Sequence, residues 1–409
     1  MPVSVIPKGL QPKAEALLAS IVPHYTVLPD GSLRSSAMGM KLYEDALLQL
    51  LDVGPSRLTP AEFEPCARRA LIATIRGQIP SFKAFSEHLD NEIITFKRKP
   101  KSPFRVCSRC YFSVPHDYEL ELDLWSAKLL ISQRVPEGLS SDQPELRDGR
   151  TAFADPAFGA YLTMTVFART KVGALDDAAR DIGFLLGLLN FTLNLGSLRV
   201  SLFSANERQV EAKIFPGREL LLINEDGNAD VDRWSFYRVY PTRVQRLTNA
   251  DLNKLAQCTK VVDQLNKRPQ GDRGFYRSFF ELYFDALCEV DSDVVVMRLW
   301  KAAKHITMGQ NAHHIANRLS ITWDDKAAVS AVCYALGQRR NMMMHNHNPI
   351  SHIESLPETF RHFLENSAWR SLGNDIKSVA HWKAIMQMSD TDIDLDLAAD
   401  AVGILKSLR

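Results

Sequence analysis

Leu265-Asn266-Lys267-Arg268-Pro269-Gln270-Gly271-Asp272 is where the chain changes its pattern. The stretch is polar, and its proline and glycine stop any helix that enters it. Beyond it every periodic segment is helical. Phe275, Phe279, Phe280, Tyr283, Phe284 and Leu287 recur at helical spacing. The same period predicts helices over 294–306, 325–344 and 357–364, and a last one near the C-terminus. Asp324 stands where the N-cap of the 325–344 helix belongs. Residues 272–409 read as one helical bundle of roughly 130–140 residues, an ordinary domain size.

Upstream of that break the period differs. Tyr118-Glu119-Leu120-Glu121-Leu122-Asp123-Leu124 alternates strictly, as a half-buried strand does. Further strands are expected over 161–168, 198–203, 210–215, 220–223 and 236–240, with a turn at Glu225-Asp226-Gly227-Asn228. Asp176-Asp177 open a helix reaching about Leu193, their charge suiting its N-terminal dipole. Residues 104–268 are thus α+β. The first 103 residues are mostly helical and can share one domain with them. A helix over 41–51 places Leu42, Ala46, Leu47, Leu50 and Leu51 on one face, and a second over 60–75 has proline in its first turn. Lys97-Arg98-Lys99-Pro100-Lys101-Ser102-Pro103 is a loop by composition. No internal repeat is evident.

At 409 residues the chain exceeds the ~150 typical of one domain. Its 45% hydrophobic and 24% charged residues match ordinary globular proteins. The net charge of +1 rules out non-specific attraction of polyanions to the whole surface, so any RNA contact must be a local patch. Six scattered cysteines do not form the dense framework of a small secreted domain. Met1-Pro2-Val3-Ser4-Val5-Ile6-Pro7-Lys8 lacks the apolar run of a signal peptide. The longest apolar stretch, 182–189, is far short of the ~20 residues that cross a bilayer. The expectation is a cytoplasmic protein with reduced thiols and no membrane partner.

The chemistry concentrates near the C-terminus. In the 325–344 helix, Val329, Val332, Cys333 and Leu336 form an apolar stripe whose continuation reaches Arg340 and Met343. A guanidinium on or beside a buried face is costly unless it is paired or used. Asn341 and His345, four apart, share a neighbouring face. The three polar groups can converge at one helix end. Cleavage of RNA without a metal needs such a set. A histidine near neutral pKa takes the proton of the ribose 2′-hydroxyl or gives one to the leaving 5′-oxygen. An arginine braces the phosphorane oxygens. An asparagine holds the phosphate or fixes the imidazole tautomer. One histidine does not serve easily as both base and acid, so a second copy from a dimer partner is a natural supplement. Arg339, His347, Lys304 and His305 are the expected substrate-binding neighbours. No metal or cofactor is required.

Arg340-Asn341-x-x-x-His345 resembles the R-x(4–6)-H motif of HEPN domains, in the R-N-x-x-x-H form common among their active ribonucleases. Arg298-Leu299-Trp300-Lys301-Ala302-Ala303 is similar to the conserved segment of an early HEPN helix, and 325–345 to the motif-bearing helix. The resemblance covers roughly residues 275–409. An acidic residue often found in the earlier segment is missing, with Lys304-His305 nearby instead. Added to the α+β N-terminal region read from periodicity, the resemblance implies an all-α HEPN-like bundle over 272–409. It also implies a homodimeric cleft and a metal-independent endoribonuclease. Such domains are frequent in toxin–antitoxin, abortive-infection and other antiviral (antiphage) systems. The N-terminal region would then be a sensor or regulator that responds to a phage-derived trigger.

Spacing alone carries little. Arg298 and His305 also fit the motif range, as do Arg109 and His116, although the latter pair sits among strand-like residues. A competing reading makes Arg339, Arg340, His345 and His347 dipole-neutralising residues at a helix C-terminus. The alternative function is a catalytically inactive HEPN-like module that binds RNA or protein; a third is a helical dimerisation domain.

Three other features are candidates. Cys107-Ser108-Arg109-Cys110 has the spacing of half a zinc site, completed only by His116 and a distant ligand. The run from Lys97 to Lys101, with Arg105 and flanking Phe96 and Phe104, can hold a phosphate backbone. His313-His314, beside Gln310 and Asn311, reads as a polar loop able to reach substrate. Phosphate-binding glycine loops, dinucleotide fingerprints and His-Glu-x-x-His are absent.

Overall fold

The computed structural model describes residues 7–35, 40–52, 58–125, 127–134, 136, 159–195, 212–215, 219–223, 229–235, 245–289, 291–323, 325–344 and 355–388. The expected strands over 198–203 and 236–240, the turn at 225–228 and Asp324 lie outside them. The chain packs as two compact units, one of residues 1–104 and 166–178, the other of 105–165 and 179–409.

The first unit holds α1 (Gln11–Ile21), the hairpin β1 (Tyr25–Val27) and β2 (Leu33–Ser35), α2 (Met40–Gln49), α3 (Pro60–Arg76) and α4 (Phe82–Lys97). Leu18, Ile21, Leu47, Phe63, Leu71, Phe85, Leu89 and Ile93 make its core. Helix α2 turns Met40 and Leu47 inward, seven apart, so the expected face is displaced and Leu42 is 75% exposed. Thr59 and Glu62 form a capping box at the start of α3. Asp176 joins them, its Oδ2 accepting the Ala61 N–H at 3.2 Å.

That contact corrects the expectation for the next helix. α5 runs Lys171–Asn194, beginning five residues before Asp176, and has no acidic residue in its first turn. Thr170 starts it, accepting the Gly173 N–H on its hydroxyl at 3.0 Å. The Asp176 carboxylate therefore serves the N-terminus of α3 and not that of its own helix.

In the second unit a six-stranded sheet has the order β5-β6-β7-β3-β8-β9. The strands are β3 (Ser102–Arg109), β5 (Glu119–Leu124), β6 (Ala127–Ser132), β7 (Tyr161–Ala168), β8 (Glu219–Ile223) and β9 (Ala229–Ser235); the short β4 (Phe112–Ser113) pairs in parallel with β10 (Gln245–Arg246). β5 alternates exposed and buried as its sequence demands. Ala212–Phe215, expected as strand, is not one. The backbone N–H groups of Lys213 and Ile214 instead donate to Asn190 Oδ1 at 2.7 and 3.0 Å. Asn190, wholly buried, also donates to Ile214 O at 2.9 Å. The side-chain amide takes the bonds a ladder would have used.

The C-terminal half is helical: α6 (Asn249–Ala256), α7 (Cys258–Asn266), α8 (Arg273–Leu287), α9 (Ser292–Thr307), α10 (Ala312–Ser320), α11 (Lys326–Met344), α12 (Ser355–Ser371) and α13 (Val379–Met388). The protein is thus mixed α and β, with its helices concentrated towards the C-terminus. The polar break of 267–272 separates α7 from α8 inside the second unit. Asp291 and Asn311 cap α9 and α10, and Asp325 caps α11, its Oδ1 accepting the Ala328 N–H at 2.9 Å. Gly187 of α5 lies against α8, where a Cβ would come within 2.1 Å of Phe280 O, so only glycine permits this approach. Further along, Asn194 donates to the Tyr283 hydroxyl at 3.2 Å, and that hydroxyl donates to buried Glu365 of α12. Arg361 sits between Glu365 and Glu358, all three at most 3% exposed. Among the described residues no helix is long and apolar enough to cross a membrane.

Candidate functional site

Helix α11 carries three of the candidate residues, Arg339, Arg340 and Asn341. Val329, Cys333, Leu336 and Gly337 face inward, while Val332 is half-buried. Gly337 seats the helix on Trp300, whose ring edge would lie 3.1 Å from a Cβ there. The extrapolated stripe reaches Arg340, but the buried arginine is its neighbour. Arg339 donates to Asp293 Oδ1 from Nε at 2.9 Å and from Nη2 at 2.5 Å, and to Ser292 Oγ at 3.4 Å. This ion pair fastens the end of α11 to the first turn of α9, and it occupies the guanidinium that sequence assigned to substrate.

Arg340 is half-buried and Asn341 exposed. The guanidinium donates from Nη1 to Asn341 Oδ1 at 3.3 Å and has no carboxylate partner among the described residues. His345 and His347 lie outside the described residues. Arg340 and Asn341 are therefore the two members of the motif brought together here.

Lys304 and His305 do not join them. Both lie in the last turn of α9, eleven and twelve residues beyond Asp293, which is ~17 Å along a helix axis. Since Arg339 is held at Asp293, these two side chains sit at the opposite end of α9. Lys304 is exposed there. His305 is half-buried, stacked on Phe275 with ring centroids 4.6 Å apart, and its Nε2–H donates to Phe275 O at 2.7 Å. Burial lowers its pKa, with the Phe275 carbonyl working the other way. His305 is thus engaged in packing against α8, away from Arg340 and Asn341.

Arg298 is engaged by Glu289 at 2.5 Å and by the Asp285 carbonyl at 3.3 Å. Arg109 is buried over the Tyr161 ring, 5.1 Å from its centroid, whereas His116 is exposed. Cys107 and Cys110 are buried free thiols, and burial pushes the Cys107 thiol up to about 12. No group of three or more metal-ligating side chains converges among the described residues. The basic run lies at the end of α4, with Arg98, Lys99 and Lys101 exposed and Lys99 5.4 Å over the Phe96 ring.

His313 and His314 are not in a loop. They occupy the first turn of α10, where Asn311 caps the helix by accepting the His314 N–H at 2.9 Å. Asn317 Nδ2 donates to His313 Nε2 at 3.1 Å, which leaves the proton on Nδ1 to meet the Tyr334 hydroxyl at 2.8 Å. Tyr334 belongs to α11 and went unnoticed in the sequence. Its signal was there: it stands seven residues before Asn341, on the same face of the helix.

No family model, curated protein or solved structure matches this chain.

Proposed function

We propose that the C-terminal helices form the nuclease site of a metal-independent endoribonuclease of the HEPN type. One observation carries the reading. At the end of an otherwise apolar-faced helix, Arg340 keeps its guanidinium beside Asn341 with no carboxylate among the described residues to neutralise it, while neighbouring Arg339 takes the structural ion pair. A cation so placed is suited to a phosphodiester. Arg340 stabilises the phosphorane oxygens, Asn341 holds the phosphate or the imidazole, and His345 moves the proton of the 2′-hydroxyl. The histidine of a second copy completes the acid–base pair, so the working form is a cytoplasmic homodimer. In this reading the α+β region senses a phage-derived trigger, and the cleavage serves antiviral defence.

The test uses purified protein, total RNA and EDTA. Cleavage is expected to survive chelation, to fall at least about 100-fold in His345→Ala, and to fall by about 100- to 1,000-fold in Arg340→Ala. Equal rates for parent and His345→Ala would remove the proposal. Tight RNA binding without cleavage under every trigger would leave a binding module instead.

A further inference from the structure

Helix α11 presents a second polar feature two turns ahead of Asn341. Residues seven apart are separated by ~20° about a helix axis and by ~10.5 Å along it, so Tyr334 and Asn341 share one face. Gln338, also exposed, fills the space between them. Tyr334 is 43% exposed, yet it is not loose. Its hydroxyl is held by His313, and His313 by Asn317, a chain of bonds reaching from α10 to α11. Because His313 uses the phenol oxygen as acceptor, the phenol hydrogen is left for an outside acceptor.

The surface around this ring suits a polyanion. Neither α10 nor α11 contains an acidic residue, over 9 and 19 positions respectively, while His313, His314, Lys326 and Arg340 all occur on them. Ala327, Ala328, Ala331 and Ala335 keep the exposed side of α11 low, so a strand can approach the tyrosine closely. An exposed, oriented aromatic on helices without acidic residues suits the stacking of an unpaired base.

The geometry points to Tyr334 as a nucleotide-binding subsite for single-stranded RNA, with His313 and Asn317 positioning its ring. A base stacks on the phenol while a phosphate further along the same strand reaches Arg340. The separation corresponds to about three nucleotides at the ~3.4 Å rise of a stacked strand, fewer if it is extended. This inference rests on the reading of Arg340, Asn341 and His345 as the cleavage site.

The experiment measures anisotropy of a fluorescent twelve-nucleotide single-stranded RNA on full-length His345→Ala protein at fixed salt. Adding Tyr334→Ala is expected to weaken binding about tenfold, Tyr334→Phe less than about threefold because the ring remains, and His313→Ala to fall between. In protein retaining His345, Tyr334→Ala should raise KM for the oligonucleotide and leave kcat within about twofold. Circular dichroism confirms folding. Equal affinity with and without Tyr334, including no binding in either, overturns the subsite. So does a loss that tracks a change in oligomeric mass, which would assign this face to a second copy of the chain. Cleavage indifferent to His345→Ala removes the catalytic reading, and the binding comparison still decides the subsite.

Discussion

Arg339 and Arg340 are adjacent in sequence and opposite in use. One residue along a helix is a rotation of ~100°, enough to turn Arg339 onto Asp293 and leave Arg340 beside Asn341. Sequence spacing located the pair of arginines but could not say which one is buried, because the deciding carboxylate comes from another helix. His305 has the same history: its partner, Phe275, is 30 residues away. Its burial gives a testable pH dependence. The unfolded histidine binds a proton near 6.5, the folded one only at lower pH, so the unfolded state holds more protons below 6.5. Stability therefore rises with pH through that window and is lost on acidification. Urea midpoints at pH 7, 6 and 5 should fall more steeply for the parent than for His305→Gln. Parallel pH profiles would contradict the buried neutral form.

Elements were readable where one face meets water. β5 alternates because its two faces differ, and the phenylalanines of α8 repeat because one side is buried. Legibility failed where a side chain replaces a regular bond. Asn190 supplies the partners of Lys213 and Ile214, so an apolar segment does not become a strand. Asp176 serves α3, so an acidic pair did not mark a helix start. On α12, Arg361 holds Glu358 and Glu365 in the core and, through Tyr283, links to α8 and α5. Removing one member leaves buried charge uncompensated. Arg361→Met is expected to lower the unfolding free energy by about 3–5 kcal/mol, read from urea denaturation at pH 7. A loss below about 1 kcal/mol would mean that water reaches the carboxylates.

For the whole molecule, the sequence gives an α+β region and then helices, and that order holds. The path between the units was not legible. The chain leaves the first unit after Phe104 and returns to it for 166–178, a return anchored by the Asp176 contact with Ala61, 115 residues away. With a net charge of +1, the proposed recognition of a polyanion has to be local. Helices α10 and α11, which carry no acidic residue, are the place proposed for it, next to the arginine and asparagine of the proposed nuclease site. The proposed chemistry has a consequence that separates it from hydrolysis by an activated water. Attack by the ribose 2′-hydroxyl needs no water and no metal, and it fixes the ends of the products. The most direct measurement is therefore the chemistry of the RNA ends generated by purified protein in EDTA, with DNA of the same sequence alongside. The expected result is a 2′,3′-cyclic phosphate or 3′-phosphate on one RNA fragment and a 5′-hydroxyl on the other, both lost in His345→Ala, with the DNA intact throughout. Fragments bearing 5′-phosphate and 3′-hydroxyl ends, or the same ends from the His345→Ala protein, would contradict it.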